Sequence, residues 1–213
     1  MKRILFSVCF FALFFSCNSS DDNPLNQEPE ANFYALAVGN AWVYKNYKYN
    51  TTTEAYDDTG VIDSVSIVGT EIISDHTYFK FRRWTTGNEA NITFCNPNGE
   101  HFEWLRDSLG NLIDHNGAVK FTNSDFSERL VLENTWGNIY ETLTTETTSL
   151  SVEAGEFSCI NSERFARNED GEQLPGLDRF YYADGIGLIH DTSSFVTSDR
   201  PSIKRRLDSY IIN

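Results

Sequence analysis

An aspartic protease shares one proton between two Asp-Thr-Gly triplets that face each other in buried loops. This chain carries the triplet once, as Asp58-Thr59-Gly60 after Tyr56 and Asp57. A polar-alternating stretch follows it, so a hairpin turn is the better reading. The four histidines, His76, His101, His115 and His190, are widely scattered. None stands at metal-ligand spacing from another His or Cys, which makes them single loop or strand histidines and gives no metal site. Asn168-Glu169-Asp170-Gly171-Glu172 could offer oxygens to Ca²⁺. Without the alternating Asp/Asn ladder and bidentate Glu of a calcium loop, it reads as a solvated turn. The sequence has no Gly-x-Ser-x-Gly elbow, phosphate loop or dinucleotide fingerprint, so no cofactor is expected. With 31 Asp and Glu residues, no pair set for glycosidic hydrolysis can be singled out. Catalytic sets usually leave residues at recognisable spacings, and on that ground the chain is read as a non-enzyme.

Cys17 is the residue with the clearest chemistry. It closes Phe14-Phe15-Ser16-Cys17, after Lys2, Arg3 and an apolar run over residues 4–15. A basic start, a run too short to span a bilayer and small residues before a cut make a secretory signal. With Cys at the first mature position, the segment resembles a bacterial lipoprotein lipobox, which implies that the thiol is diacylated before cleavage and the new amine is then acylated. Residues 1–16 are thus expected to be a lipoprotein signal peptide, and Cys9 leaves with it. Residues 17–31 are the acylated Cys and a disordered tether, because NSSDDNPLNQEPEA has one Leu and cannot offset its ordering entropy by burial. As a flexible coil it reaches about 20 Å. Ser19-Ser20-Asp21-Asp22 is similar to the acidic export signal of Bacteroidetes surface lipoproteins. That likeness implies an outer membrane lipoprotein exposed at the cell surface, with a periplasm-facing protein as the alternative.

Composition narrows the partners. Loss of Lys2 and Arg3 with the signal leaves 15 basic against 31 acidic residues in the mature chain, a formal charge of −16. Such a surface repels phosphate backbones and anionic headgroups, which excludes nucleic acid and leaves the N-terminal lipid as the membrane contact. Cys95 and Cys159 are the remaining mature-chain thiols. In an oxidising compartment they are a possible disulfide, worth about 4 kcal/mol in the chain-entropy model; each alone is equally a small buried hydrophobe.

Residues 32–213 are expected to form one all-β domain, since their pattern is strand after strand. Residues 42–49 are aromatic and β-branched; residues 61–73 set Val65, Ile67 and Val68 beside Ser and Thr; residues 78–84 alternate Phe79 and Phe81 with Lys80 and Arg82. Residues 101–106 follow the Asn96-Pro97-Asn98-Gly99 turn, and residues 107–111 turn the chain again. The Thr-rich residues 136–152 fit a long hairpin, and strands are expected over 156–167, 179–183, 187–191 and 203–212. In the last, Ile203, Leu207 and Ile211 share a face with Arg205. The expected fold is ten to twelve antiparallel strands in a strongly curved sheet, open barrel or sandwich, with little helix. Trp42, Trp84, Trp104 and Trp136 could stack on sugars if exposed, but on amphipathic strands they are placed in the core.

Three stretches carry a family resemblance. Residues 33–44, with Val38-Gly39-Asn40-Ala41-Trp42, Val152-Glu153-Ala154-Gly155-Glu156-Phe157 and Tyr181-Tyr182-Ala183-Asp184-Gly185-Ile186-Gly187-Leu188 look like the VGNxW, AGxF and YYAxGxGL motifs of a broad, mostly uncharacterised group of Bacteroidetes envelope lipoproteins. The likeness implies a curved antiparallel β-domain and no particular activity; the glycines are also plain turn formers. Proteins of that kind can carry O-glycans at Asp-Ser/Thr-aliphatic triplets, which makes Ser108 in Asp107-Ser108-Leu109 the preferred modification site and Ser64 in Asp63-Ser64-Val65 the second. The functional expectation is a lipid-anchored, non-catalytic binding or assembly module for an unidentified small molecule, glycan or protein. The alternatives are a hydrophobic-ligand carrier or chaperone, which needs a large apolar cavity, and a secreted glycoside hydrolase, which needs convergent carboxylates.

Overall fold

A computed structural model describes residues 32–213; Cys17, the expected signal peptide and the expected tether lie outside the described residues. Twelve strands follow one another: β1 (Ala41–Asn50), β2 (Ala55–Ile73), β3 (His76–Thr86), β4 (Gly99–Ser108), β5 (Asn111–Asp114), β6 (Val119–Thr122), β7 (Arg129–Asn134), β8 (Gly137–Val152), β9 (Gly155–Asn168), β10 (Gln173–Ala183), β11 (Gly187–Ser193) and β12 (Ile203–Ile211). They form a single antiparallel sheet in the order β6-β5-β4-β3-β2-β1-β12-β11-β10-β9-β8-β7. The first six strands thus run outward from β1, and the last six return to it.

This order makes β6 and β7 the two opposite edges of the sheet, yet only residues 123–128 join them. A linker of six residues spans at most about 20 Å, far less than a flat sheet of twelve strands. The sheet must therefore curl until its edges approach. They meet through side chains rather than a ladder: Arg129 on β7 donates from Nη1 to the Val119 carbonyl on β6 at 2.9 Å. Across the curl, Phe121 of β6 stacks on Tyr182 of β10 with centroids 4.0 Å apart. The result is a strongly curved sheet that stops short of barrel closure.

Two apolar clusters fill the concave side. One gathers Trp42, Ile67, Cys159, Ile189 and Leu207; the other gathers Tyr34, Leu105, Leu112, Phe121 and Leu143. The segment before β1 plugs one end, where Phe33 accepts from the Gly185 amide (3.1 Å) and Asn40 caps the chain terminus through Asn213 (2.8 Å).

Three local expectations need correction. The β1–β2 turn lies at residues 51–54, and Asp58-Thr59-Gly60 is a bulge inside β2. Gly60 takes φ +76°, and the Thr59 hydroxyl donates to the Asn46 carbonyl (2.7 Å) across the skipped pairing. Residues 137–152 are one long strand, because no Gly, Pro or Asn turn interrupts them after Asn138 and their hairpin partner is β9. In β12 a bulge opposite Val43/Tyr44 slips the register, so Ile211 is 62% exposed while Ile212 packs on the core. A slip of one residue exchanges the two faces.

Candidate functional site

The period-two pattern that half-buries Phe79 and Phe81 also turns Arg83 inward on β3, and Arg205 shares the inward face of β12 with Ile203 and Leu207. Charge therefore enters the concave side along with the apolar residues. Buried charges need partners, and most have them. Asp63 on β2, wholly buried, accepts from Asn46 (3.1 Å), Thr85 (2.5 Å) and Asn96 (3.1 Å). Asp191 on β11 takes Arg205 in a two-pronged pair, 2.8 Å on each oxygen. Burial would lower the Arg205 pKa, but Asp191 and Asp63 outweigh it and raise it above the ordinary arginine value. Near the sheet edge, fully buried Glu141 holds Arg129 (2.8 Å) and Arg164 (2.6 Å).

Between these pairs lies a hollow of about 250 Å³, walled by Trp42, Tyr44, Phe81, Phe180 and Tyr182 and edged by Arg83, Lys120, Arg164 and Arg205. Trp42 and Tyr44 are fixed by bonds to the Ile186 and Leu188 carbonyls (2.8 and 3.0 Å). Two neighbouring hollows, of about 310 and 240 Å³, also have Arg83 in their walls. Arg83 is exceptional among the four cations. Lys120 pairs with Glu103 and Asp114, and Arg164 and Arg205 are paired as above. Arg83 has no carboxylate within 4.0 Å among the described residues. Its Nη1 donates to the Asn96 amide oxygen (2.9 Å), and its buried Nε has no partner.

One acidic pair bears on the hollow: Glu103 lines it, and Asp114 lines a neighbouring one. Glu103 and Asp114 lie 2.8 and 3.3 Å from the Lys120 ammonium. Burial raises the Asp114 pKa, but the Ala118 and Asn116 amides and Lys120 outweigh it and hold the carboxyl below its usual range. An acid held ionised in this way suits an ion pair, whereas a glycosidase needs one carboxyl protonated.

The residues singled out in the sequence are mostly dispersed. Cys95 and Cys159 are both free thiols, which corrects the possible disulfide. Cys159 packs among Trp42, Ile189 and Leu207, whereas Cys95 lies in the β3–β4 connection beside Asp63 and Lys48. Burial pushes each thiol up to about 11, so both are poor nucleophiles near neutral pH. Only Trp42 of the four tryptophans is core: Trp84 and Trp136 are 49% and 42% exposed, and Trp104 is half-buried with its Nε1 on Glu71 (2.7 Å). Ser108 ends β4 beside Leu109, which is 95% exposed. Ser64 is exposed on β2, but the Asp63 of its triplet is sealed in the polar network. His190 faces the Arg205 carbonyl (2.8 Å) and burial lowers its pKa; the other histidines are apart from it. Residues 169–172 form the β9–β10 turn.

The three family-like stretches pack on one core cluster, which also takes in Leu207 of β12. Trp42 bonds Ile186, Gly185 bonds Phe33, and Ala154 donates to the Leu207 carbonyl (3.2 Å). Gly187 lies against Trp42, where an added Cβ would stand 3.6 Å from the Tyr34 carbonyl oxygen.

No protein-family model matches the sequence, and no curated protein matches it. The fold does have likenesses among solved structures. A Bacteroides fragilis protein described as exported and of YmcC-like fold aligns over 85% of this chain and 99% of its own, at 11% identity and a TM-score of 0.50. A Parabacteroides distasonis protein described as a lipoprotein aligns over 86% and 100%, at 14% identity and a TM-score of 0.45.

Proposed function

We propose that this chain is a lipid-anchored outer-membrane protein that acts without catalysis, as a binding module with its ligand seat in the concave hollow. The observation that carries this reading is the hollow itself: a concave space with rigid aromatic walls and a few convergent polar groups, the usual make-up of a ligand site. The anchor rests on Cys17 and its leader, and the fold's likeness to a protein described as exported agrees with it. A hydrophobic-ligand carrier or chaperone is the weaker reading, because the walls hold four cations and Glu103 around about 250 Å³. A hydrolase is weaker because Lys120 ties up the Glu103 and Asp114 pair.

Each part has its own test. Cys17→Ser should abolish lipid labelling and leave uncleaved precursor; wild-type protein in a detergent-free soluble fraction would refute the anchor. For the seat, a small-molecule panel is screened by thermal shift against wild type and Val65→Trp, a substitution that fills the hollow wall. A compound that stabilises wild type but not the variant supports the reading. Equal shifts in both proteins overturn it. Turnover of aryl glycosides that disappears in Glu103→Gln would overturn the non-catalytic assignment.

A further inference from the structure

Arg83 is a guanidinium set into the concave wall with no carboxylate within 4.0 Å among the described residues; Asn96 stands between it and Asp63. The nearby carboxylates cannot serve it without leaving other donors. Asp63 already accepts from Asn46, Thr85 and Asn96; Asp191 is taken by Arg205; Glu103 and Asp114 share Lys120. Among the described residues the only hydrogen bond of the Arg83 side chain goes from Nη1 to a neutral amide, and its Nε, sealed from solvent, has none. A half-buried cation in that state is stabilised by any acceptor that brings one negative charge and two oxygens in a plane, the geometry that a guanidinium fork matches.

The surroundings set the rest of the ligand. Phe81 lies two residues before Arg83 on the same face of β3, about 7 Å along the strand. Leu105, Leu112 and Phe180 complete an apolar stretch of the same hollow. The formal charge of −16 on the mature chain opposes ligands of higher negative charge, and a single uncompensated cation balances only one. We propose that the concave hollow binds a small amphipathic monocarboxylate, its head on Arg83 and its apolar body along Phe81 and Leu105. This rests on the hollow being the ligand seat, and it adds the chemical class.

The test uses the full chain carrying Cys17→Ser, so that no protein-bound acyl chain competes with the probe. Calorimetric titration compares 4-phenylbutyrate with 4-phenyl-1-butanol, which has nearly the same body without the charge. The acid should bind at least tenfold more tightly. Arg83→Gln should erase that ratio and leave the alcohol's affinity unchanged, and Arg83→Lys, which keeps the charge but loses the fork, should keep part of it. The wild-type ratio is decisive even if a variant fails to fold. Equal binding of acid and alcohol, or a ratio untouched by Arg83→Gln, overturns the carboxylate assignment while leaving the hollow as a seat. Binding of neither probe also overturns it, and the seat itself is then judged by the Val65→Trp comparison.

Discussion

Asp178 gives the sharpest test of how charge is held inside the curve. It shares the inward face of β10 with Phe180 and Tyr182, opposite Arg164 on β9, and its Oδ1 is buried with no donor. Burial pushes the carboxyl up from 3.8 to about 6, against the opposing pull of Ser194 and Arg164 and with a small push from Asp191. The folded state therefore binds the proton more tightly than the unfolded chain does, so stability falls as pH rises from about 4 through 6 and the whole penalty is present above that window. The shift corresponds to about 3 kcal/mol in a dry site, and partial access of water reduces this to about 2 kcal/mol. Asp178→Asn keeps the shape and removes the charge. Urea unfolding should show the variant more stable by about 2 kcal/mol near pH 7.5 and within about 0.5 kcal/mol of wild type near pH 4. A gain that is the same at both pH values, or a loss near pH 7.5, would refute the assignment of an ionised, poorly solvated carboxylate.

Glu141→Gln should cost about 3 kcal/mol in the same assay, because it leaves the Arg129 and Arg164 guanidiniums without their shared charge at the sheet edge; a loss below about 1 kcal/mol would show that Glu141 does not brace the seam. Thiol titration of a denatured, unreduced chain beginning after Cys17 should find both Cys95 and Cys159 free, and no free thiol would contradict the structure. If glycans are attached, mass mapping should place one at Ser108 before Ser64, whose triplet loses its Asp to the buried network; modification at Ser64 alone would reverse that order.

Strand content was legible because one face of each strand is apolar and the other wet, and that alternation survives in residues 78–84 and 42–49 without any neighbour. Bulges were not legible. Asp58-Thr59-Gly60 has turn chemistry, and only the pairing of β1 with β2 turns it into a bulge. The same holds for Ile211, whose alternation with Leu207 is correct up to the slip opposite Val43 and wrong beyond it. Trp42 is core as expected, and Trp84, Trp104 and Trp136 are not, because an aromatic residue alone is silent about which face is buried. Trp84 is the case in point: it falls on the face of Lys80 and Arg82, which a strict reading of period two would have sent outward. The concave site did leave one signal. Arg205 alternates with Ile203 and Leu207, and Arg83 with Phe79 and Phe81, so charges stood at core positions in the sequence. Their pairing with Asp63, Asp191 and Asn96 draws on five different parts of the chain, and no local pattern contains it.

The balance of charge inside the curve bears on why those positions are not simply apolar. Asp63, Glu141, Asp178 and Asp191 stand on inward positions against Arg83, Arg129, Arg164 and Arg205. Replacing buried ion pairs with well-packed hydrophobes is often neutral or stabilising, so stability alone does not account for this set. The pairs are also uneven: Arg205 has a carboxylate to itself, Arg129 and Arg164 share one, one oxygen of Asp178 lacks a donor, and Arg83 has only an amide. A network built only for structure would gain by pairing Asp178 with Arg83, and the strands instead hold them apart on β10 and β3, on opposite sides of the β1–β12 pairing. Arg83 then bears an unmet demand for an anion, on a wall that also carries aromatic rings. That separation is what a ligand bearing one acid group can use and what a closed, self-satisfied core could not provide.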